Sequence, residues 1–230
     1  FADKEKVQAV HAAKLCKADL ESKMIYEFPE LQGIMGRYYA KAAGEDEAVA
    51  QAMFDHWKPR FAGEDVSDIS NVSAVVSIAD KMDSIVSCFS AGLIPTSSSD
   101  PYALRRAAQG IVSLIMSQKF DLDIKELISY SIDLSGAKKE LFDDVNNFFN
   151  LRVKNVLQEK NVAYDVINSV LAIEVDDMFG TIQSAEAING VKDSTVKAIN
   201  SAQVRIANIL GKERAKTKGM EDSSYFDKDA

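Results

Sequence analysis

A chain of 230 residues, 47% hydrophobic and 27% charged, is long and apolar enough to bury a sizeable core and does not fit a disordered segment. No apolar run nears the roughly 20 residues of a membrane span, and the charged start FADKEKVQAV lacks an apolar signal core, so a cytoplasmic protein without membrane contact is expected. The formal net charge of −8 argues against nucleic-acid binding over the whole surface but leaves room for a local basic patch.

In chain order, Val7, Val10, Ala13, Leu15, Leu20 and Met24 repeat with a mostly helical period, which predicts one helix from Asp3 to about Tyr26. The chain starts inside this pattern without a methionine and reads as a piece of a longer one. Pro29 fits the first turn of a second helix, in which Gly33 and Gly36 cost helix propensity and point to close approach of a neighbouring backbone. Glu45 and Asp46 open a third helix through Trp57, with Val49, Met53, Phe54 and Trp57 on one face. Pro59 stops it, and RFAGEDVSDIS reads as a polar loop.

The stretch from Asn71 to about Gln118 predicts a helix pair. Val75, Ile78, Met82, Ile85, Val86 and Phe89 give the first its apolar face. Gly92 and Pro95 end it, Asp100 is a capping residue, and Pro101 fits the first turn of ALRRAAQGIVSLI. Beyond it, DLDIKELISYSI is a short helix capped at Asp121 or Asp123. A long amphipathic helix carries Leu141, Val145, Phe148, Phe149, Val153, Val156 and Leu157. Helices are also expected over YDVINSVLAI, near Asp176–Ala187, and from Asp193 to about Gly211. The remaining GKERAKTKGMEDSSYFDKDA reads as a linker or frayed end. No strand-like alternation interrupts this, so the expected fold class is all-α.

Cys16 and Cys88 are the only cysteines, too few for a disulfide framework, and both fall on apolar helical faces as reduced thiols. His11 on its helix reads as a core or boundary histidine and His56 as a surface one. Two histidines do not assemble a Ser/His/Asp or Cys/His set, and GIMGRYYAKAAGE lacks the P-loop lysine. Asp19, Asp80 and Asp83 are the carboxylates that could converge between helices on a metal. At this level the chain resembles HD-type metal phosphohydrolases, with IADKMD as the later Asp-bearing helix. It departs at the ligands themselves: Lys17 and Ala18 stand where His-Asp is required, and Asp55–His56 is in reverse order. No catalytic and no metal-ligating residue is therefore assigned.

The basic residues are the stronger candidates. Arg37, Lys41, Lys58, Arg60, Lys81, Arg105 and Arg106 fall in segments with Tyr38, Tyr39, Trp57, Phe61 and Tyr102. Together they would make a cationic, aromatic-lined surface for RNA phosphates and unpaired bases. The competing expectation is that Arg105 pairs internally with Asp80 or Asp100. Adjacent arginines on a helix point about 100° apart, so Arg105 and Arg106 need not share a role.

The order of CKADLESKMIYEFPELQGIMGRYYA, HWKPRFAGED and IADKMDSIVSCFSAGLIPTSSSDPYALRRAAQGI resembles the β subunit of the bacterial α2β2 glycyl-tRNA synthetases, a likeness running roughly from Lys14 to Leu210. The resemblance implies a degenerate HD-like helical domain over residues 1–120 and a further helical region over 121–211. An anticodon-binding domain would lie beyond this chain, with 212–230 leading toward it. It also implies a part of a ligase that attaches glycine to tRNA. Partners would be the α subunit, which holds the site using ATP and Mg, and glycine tRNA; this segment itself would bind no cofactor. Arg105, Arg106, Lys81, Arg60 and Arg37 are the nominated RNA contacts, on their chemistry alone. Two alternatives are a residual HD-type metal-dependent phosphohydrolase and a purely structural module that packs subunits together.

Overall fold

The computed structural model describes residues 2–61, 63–172 and 175–191, with single positions 195, 202 and 206. The chain falls into two compact units, 1–186 and 187–230. The helices are α1 (Asp3–Leu15), α2 (Lys23–Glu27), α3 (Ile34–Ala42), α4 (Glu47–Asp55), α5 (Asn71–Ser90), α6 (Leu104–Gln118), α7 (Ile124–Ser135), α8 (Leu141–Glu159), α9 (Tyr164–Leu171) and α10 (Met178–Asn189). Among the described residues there is no strand beyond the isolated bridges Thr96–Ser99 and Asp123–Asp177, so the fold is all-α as expected. No described helix is long and apolar enough to cross a membrane. The expected helix from Asp193 and the polar tail lie outside the described residues.

The organising element is α5. Ser70 caps it by accepting a hydrogen bond from the Ser73 backbone amide. Its buried positions occupy more than one face, because it packs between two sets of partners. Val72 and Val76 meet Ala9, Ala12 and Cys16 of the α1 segment with Val49 and Ala52 of α4, all small enough for close helix approach. Further along, Ile78, Met82, Ile85, Val86 and Phe89 enter the larger core, which collects Leu104, Ile111 and Ile115 of α6, Ile128 of α7, Phe149, Val153 and Leu157 of α8, and Met178 and Ile182 of α10. Phe89 and Phe148 close this core edge to face, ring centroids 5.2 Å apart.

Several boundaries differ from the expectation for physical reasons. The first helix stops at Leu15, and a short 3-10 turn (Ala18–Glu21) and α2 follow. The turn carries Asp19 inward, 2% exposed, where its Oδ2 accepts the Gly33 amide at 2.7 Å; a continuous helix would forfeit that bond. Pro29 opens only a 3-10 turn (Pro29–Leu31), and the helix proper begins after Gly33 at φ 76. What crowds the glycines is mainly side chains: a β-carbon on Gly33 would lie 2.6 Å from Trp57 Cδ1, and one on Gly36 3.1 Å from Asp19 Oδ2.

The supposed polar loop after Pro59 delivers Val66 and Ile69 to the core. Asp100 does cap α6, but from a distance: its carboxylate accepts the Leu104 and Arg105 amides at 2.8 and 3.0 Å, across a turn of Pro101, Tyr102 and a left-handed Ala103. Pro101 thus precedes the helix. Of the two capping candidates for α7, Asp123 is the one used, accepting from the Lys125 and Glu126 amides.

Candidate nucleic-acid interface

The end of α4 and the loop behind it fix the site. His56 follows the last turn of α4 and is fully buried, not on the surface as its charged neighbours suggest. The run Val49, Ala52, Met53, His56 keeps a helical period, and that was the readable signal. Its Nδ1 lies 2.9 Å from the Met53 carbonyl oxygen, which can only accept, so Nδ1 carries the hydrogen. Burial pushes the imidazole pKa below its ordinary value, and the neutral ring is left with a lone pair on Nε2, which no protein group meets. His11, by contrast, is exposed and pairs with Glu45 at 2.7 Å, so the core or boundary expectation is corrected.

Lys81 on α5 is 8% exposed, and its ammonium donates to the His56 carbonyl at 2.8 Å, the Lys58 carbonyl at 2.9 Å and Ser77 Oγ at 2.7 Å. All three of its hydrogens are used to hold the 56–58 segment against α5. Burial lowers its pKa to about 8, against the raising effect of Asp80 and Glu64. Gly110 lets α6 close over this joint, since a β-carbon there would meet Pro59 Cδ at 3.0 Å and Lys81 Cε at 3.1 Å.

The chain brings Arg60 and Arg106 together from loop and helix: Arg106 Nη1 donates to the Arg60 carbonyl at 3.0 Å, and Arg106 is otherwise exposed. The Arg60 backbone amide donates to Glu64, while its guanidinium lies 4.8 Å from the Phe54 ring centroid with a buried, unmet Nη2. Arg37 of α3 stacks on the same ring at 4.7 Å, and the Lys58 ammonium approaches it at 5.5 Å. Phe54 is thus ringed by three cations. Lys58, one turn after Phe54, belongs to this group although it was not nominated.

Arg105 stands apart. Its guanidinium donates to the Thr96 carbonyl in the loop before α6, and its pairing is with that loop, not with an Asp80 or Asp100 side chain. Asp80 instead accepts from Lys17 at 2.6 Å. Burial works against the Lys17 charge, but the hydrogen bond and charge of Asp80 outweigh it and raise the lysine pKa. Asp19 is spent on Gly33, Asp80 on Lys17, and Asp83 faces solvent. The three carboxylates do not converge, and among the described residues no group of three His, Cys, Asp or Glu side chains is placed to hold a metal ion. Cys16 and Cys88 are both free thiols; Cys16 is buried and Cys88 partly so, and burial raises both pKa values.

Between the 56–60 segment, α5 and the start of α6 lies a cavity of ≈ 270 Å³. Arg60, Arg106, Lys81, His56, Asp80 and Tyr102 are among its walls. Of the five nominated residues the structure gathers Arg60, Arg106 and Lys81 here. Arg37 lies beyond Phe54, and Arg105 does not line this cavity.

Residues 2–172 match the family model described as glycyl-tRNA synthetase beta subunit. Among curated proteins, the glycine–tRNA ligase beta subunit of Clostridioides difficile is 44% identical over 203 residues, covering 86% of this chain and 29% of that protein. The corresponding protein of Geotalea uraniireducens is 46% identical over 213 residues, covering 90% of this chain and 30% of its own length. That of Syntrophomonas wolfei is 41% identical over 198 residues, covering 84% and 28%. The chain thus spans less than a third of the length of these relatives.

Proposed function

The chain belongs to the glycyl-tRNA synthetase beta subunit family, and from that premise we propose that it is a helical tRNA-docking and scaffold part of a glycine–tRNA ligase. In this reading the α subunit carries amino-acid activation with ATP and Mg, and the present chain presents the cationic surface on which glycine tRNA rests, in the cytoplasm. In the same reading residues 1–120 are the HD-like part, and the residues after 120 belong to the region that follows it in the chain.

The observation that carries the reading is the meeting of Arg60 and Arg106 beside the Phe54 cluster of Arg37 and Lys58, on a chain whose net charge is −8. Stacking on Phe54 holds Arg37, Lys58 and Arg60 in place, and Lys58 is also paired with Asp55 at 3.3 Å and Asp68 at 3.8 Å, so the exposed Arg106 is the cation left most open to an anion. Guanidinium groups beside aromatic rings suit RNA phosphates and unstacked bases. No residue is given a catalytic role, and the spent aspartates offer no ligand set for a phosphohydrolase metal.

The test is binding of the chain to glycine tRNA across a salt series. Affinity is expected to fall with salt, and an Arg60→Gln/Arg106→Gln variant to lower the logarithmic slope by about 1–2. A folded chain that does not bind at low salt refutes docking. A second reading, a purely structural module, is favoured by one observation: the Arg105 and Arg37 side chains already bond to Thr96 and Gln51. Those two arginines are expected to matter less for RNA than Arg60 and Arg106.

A further inference from the structure

Helix α7 carries two apolar stripes, and the core takes only one of them. Ile124, Ile128 and Ile132 are buried in that core. Leu127, Tyr130 and Leu134, at i, i+3 and i+7, form the second stripe, and its outer positions stand open, Tyr130 63% and Leu134 70% exposed. The stripe runs into a hollow of ≈ 480 Å³ lined by Val75, Ile78 and Ala79 of α5, Phe120 and Leu122 of the α6–α7 connection, and Leu127. A second hollow, of ≈ 630 Å³, is also lined by Leu122 and Leu127 and follows α7 past Tyr130. The two shared leucines join them into one apolar groove beside α5 and α7.

Carboxylates dominate the rim of this groove. Asp121, Asp123, Glu126 and Asp133 line the two hollows, against Lys119 and Lys125. The Lys125 ammonium is already paired with Asp176 at 2.8 Å, while Asp121, Glu126 and Asp133 are exposed. Such a rim repels a polyanion, so the groove stands outside the tRNA-docking reading. Its complement is a helix with one apolar face flanked by lysine or arginine. The stripe from Leu127 to Leu134 spans about 10 Å, which matches about two turns of such a helix. We propose that this groove docks a basic amphipathic helix of a partner protein, whose apolar face covers Leu127, Tyr130 and Leu134 and whose cations meet Asp121, Glu126 and Asp133.

The probe is a fluorescein-labelled helical peptide of about 14 residues, leucine at i, i+3, i+4 and i+7 and lysine elsewhere, titrated with the whole chain. It is expected to bind at least about tenfold more tightly than the same composition scrambled out of helical period, and than its leucine–glutamate counterpart. Leu134→Ser removes apolar contact and Ala79→Arg sets a cation in the groove; both positions are exposed, and each variant should bind about tenfold more weakly. Glu126→Lys/Asp133→Lys should also lose about tenfold or more, whereas Glu27→Lys/Glu30→Lys, an equal change of net charge at exposed positions in α2 and the turn after it, should stay within about twofold of wild type. Unchanged helicity and urea midpoint in these variants separate lost docking from lost fold. No binding at about 0.5 mM chain, equal binding of the scrambled peptide, or equal weakening by the two charge-reversed pairs overturns the proposal. So does a chain that dimerises in sedimentation and becomes monomeric with Leu134→Ser, which gives the face to a second copy.

Discussion

Replacing Lys81 by methionine keeps most of the stem and deletes the ammonium that joins the 56–58 segment to α5. Three hydrogen bonds from a charged donor, at 2.7–2.9 Å, are lost, each worth ~1.5 kcal/mol or more. Against that, the fall of the Lys81 pKa from 10.5 to about 8 means that burying the charge costs ~3 kcal/mol, a cost methionine escapes. The two nearly cancel, so near neutral pH the variant should be only about 1 kcal/mol less stable.

The pH dependence is more telling. Between about 8 and 10.5 the unfolded chain still holds the Lys81 proton while the folded chain has released it, so rising pH favours the wild-type fold. Stability from this residue is present above the unfolded pKa and lost as pH falls through about 8. The gap between wild type and Lys81→Met should therefore widen by ~2 kcal/mol as pH rises from about 7 to about 9.5. Urea unfolding measured in parallel on both proteins cancels the other titrating groups, and Trp57, the single tryptophan, reports next to the altered joint. Wild-type and variant stabilities that run parallel over this pH range would refute the buried, charge-penalised ammonium.

Gly33→Ala combines a left-handed φ of 76 with a 2.6 Å approach to the Trp57 ring and should cost about 2–4 kcal/mol, read as a lowered urea midpoint. Asp100→Ala strips the Leu104 and Arg105 amides of their acceptor and should cost about 1–2 kcal/mol by the same measurement, whereas Pro101→Ala, ahead of the helix, should stay within about 0.5 kcal/mol of wild type. Lys17→Gln breaks a half-exposed, solvent-screened pair with Asp80 and should change stability by less than about 1 kcal/mol.

The helices that carry their own apolar period were legible in the sequence. For α5, Ile78, Met82, Ile85 and Phe89 read as a face and pack as one; for α8, Val145 through Leu157 did the same. What stayed hidden depended on contacts between distant residues. Nothing near Cys16 or Lys17 announces a break; the break comes from Asp19 reaching Gly33 and Lys17 reaching Asp80. The start of α6 shifted because Asp100 caps across a three-residue turn that sequence spacing cannot distinguish from a direct cap. The basic residues were readable as a set, but their division was not: Arg105 and Arg106 are neighbours in sequence, yet one turns to Thr96 and the other to Arg60. His56 was misjudged because charged neighbours drew attention from its place in the buried period of α4.

We propose that this chain docks tRNA and leaves amino-acid activation to the α subunit. The most direct test is steady-state aminoacylation by the complete α2β2 enzyme carrying Arg60→Gln and Arg106→Gln, beside glycine-dependent ATP–pyrophosphate exchange, which needs no tRNA. The KM for glycine tRNA is expected to rise about tenfold or more with exchange unchanged. An unchanged KM for tRNA, or an exchange rate that falls with the two arginines, would contradict it.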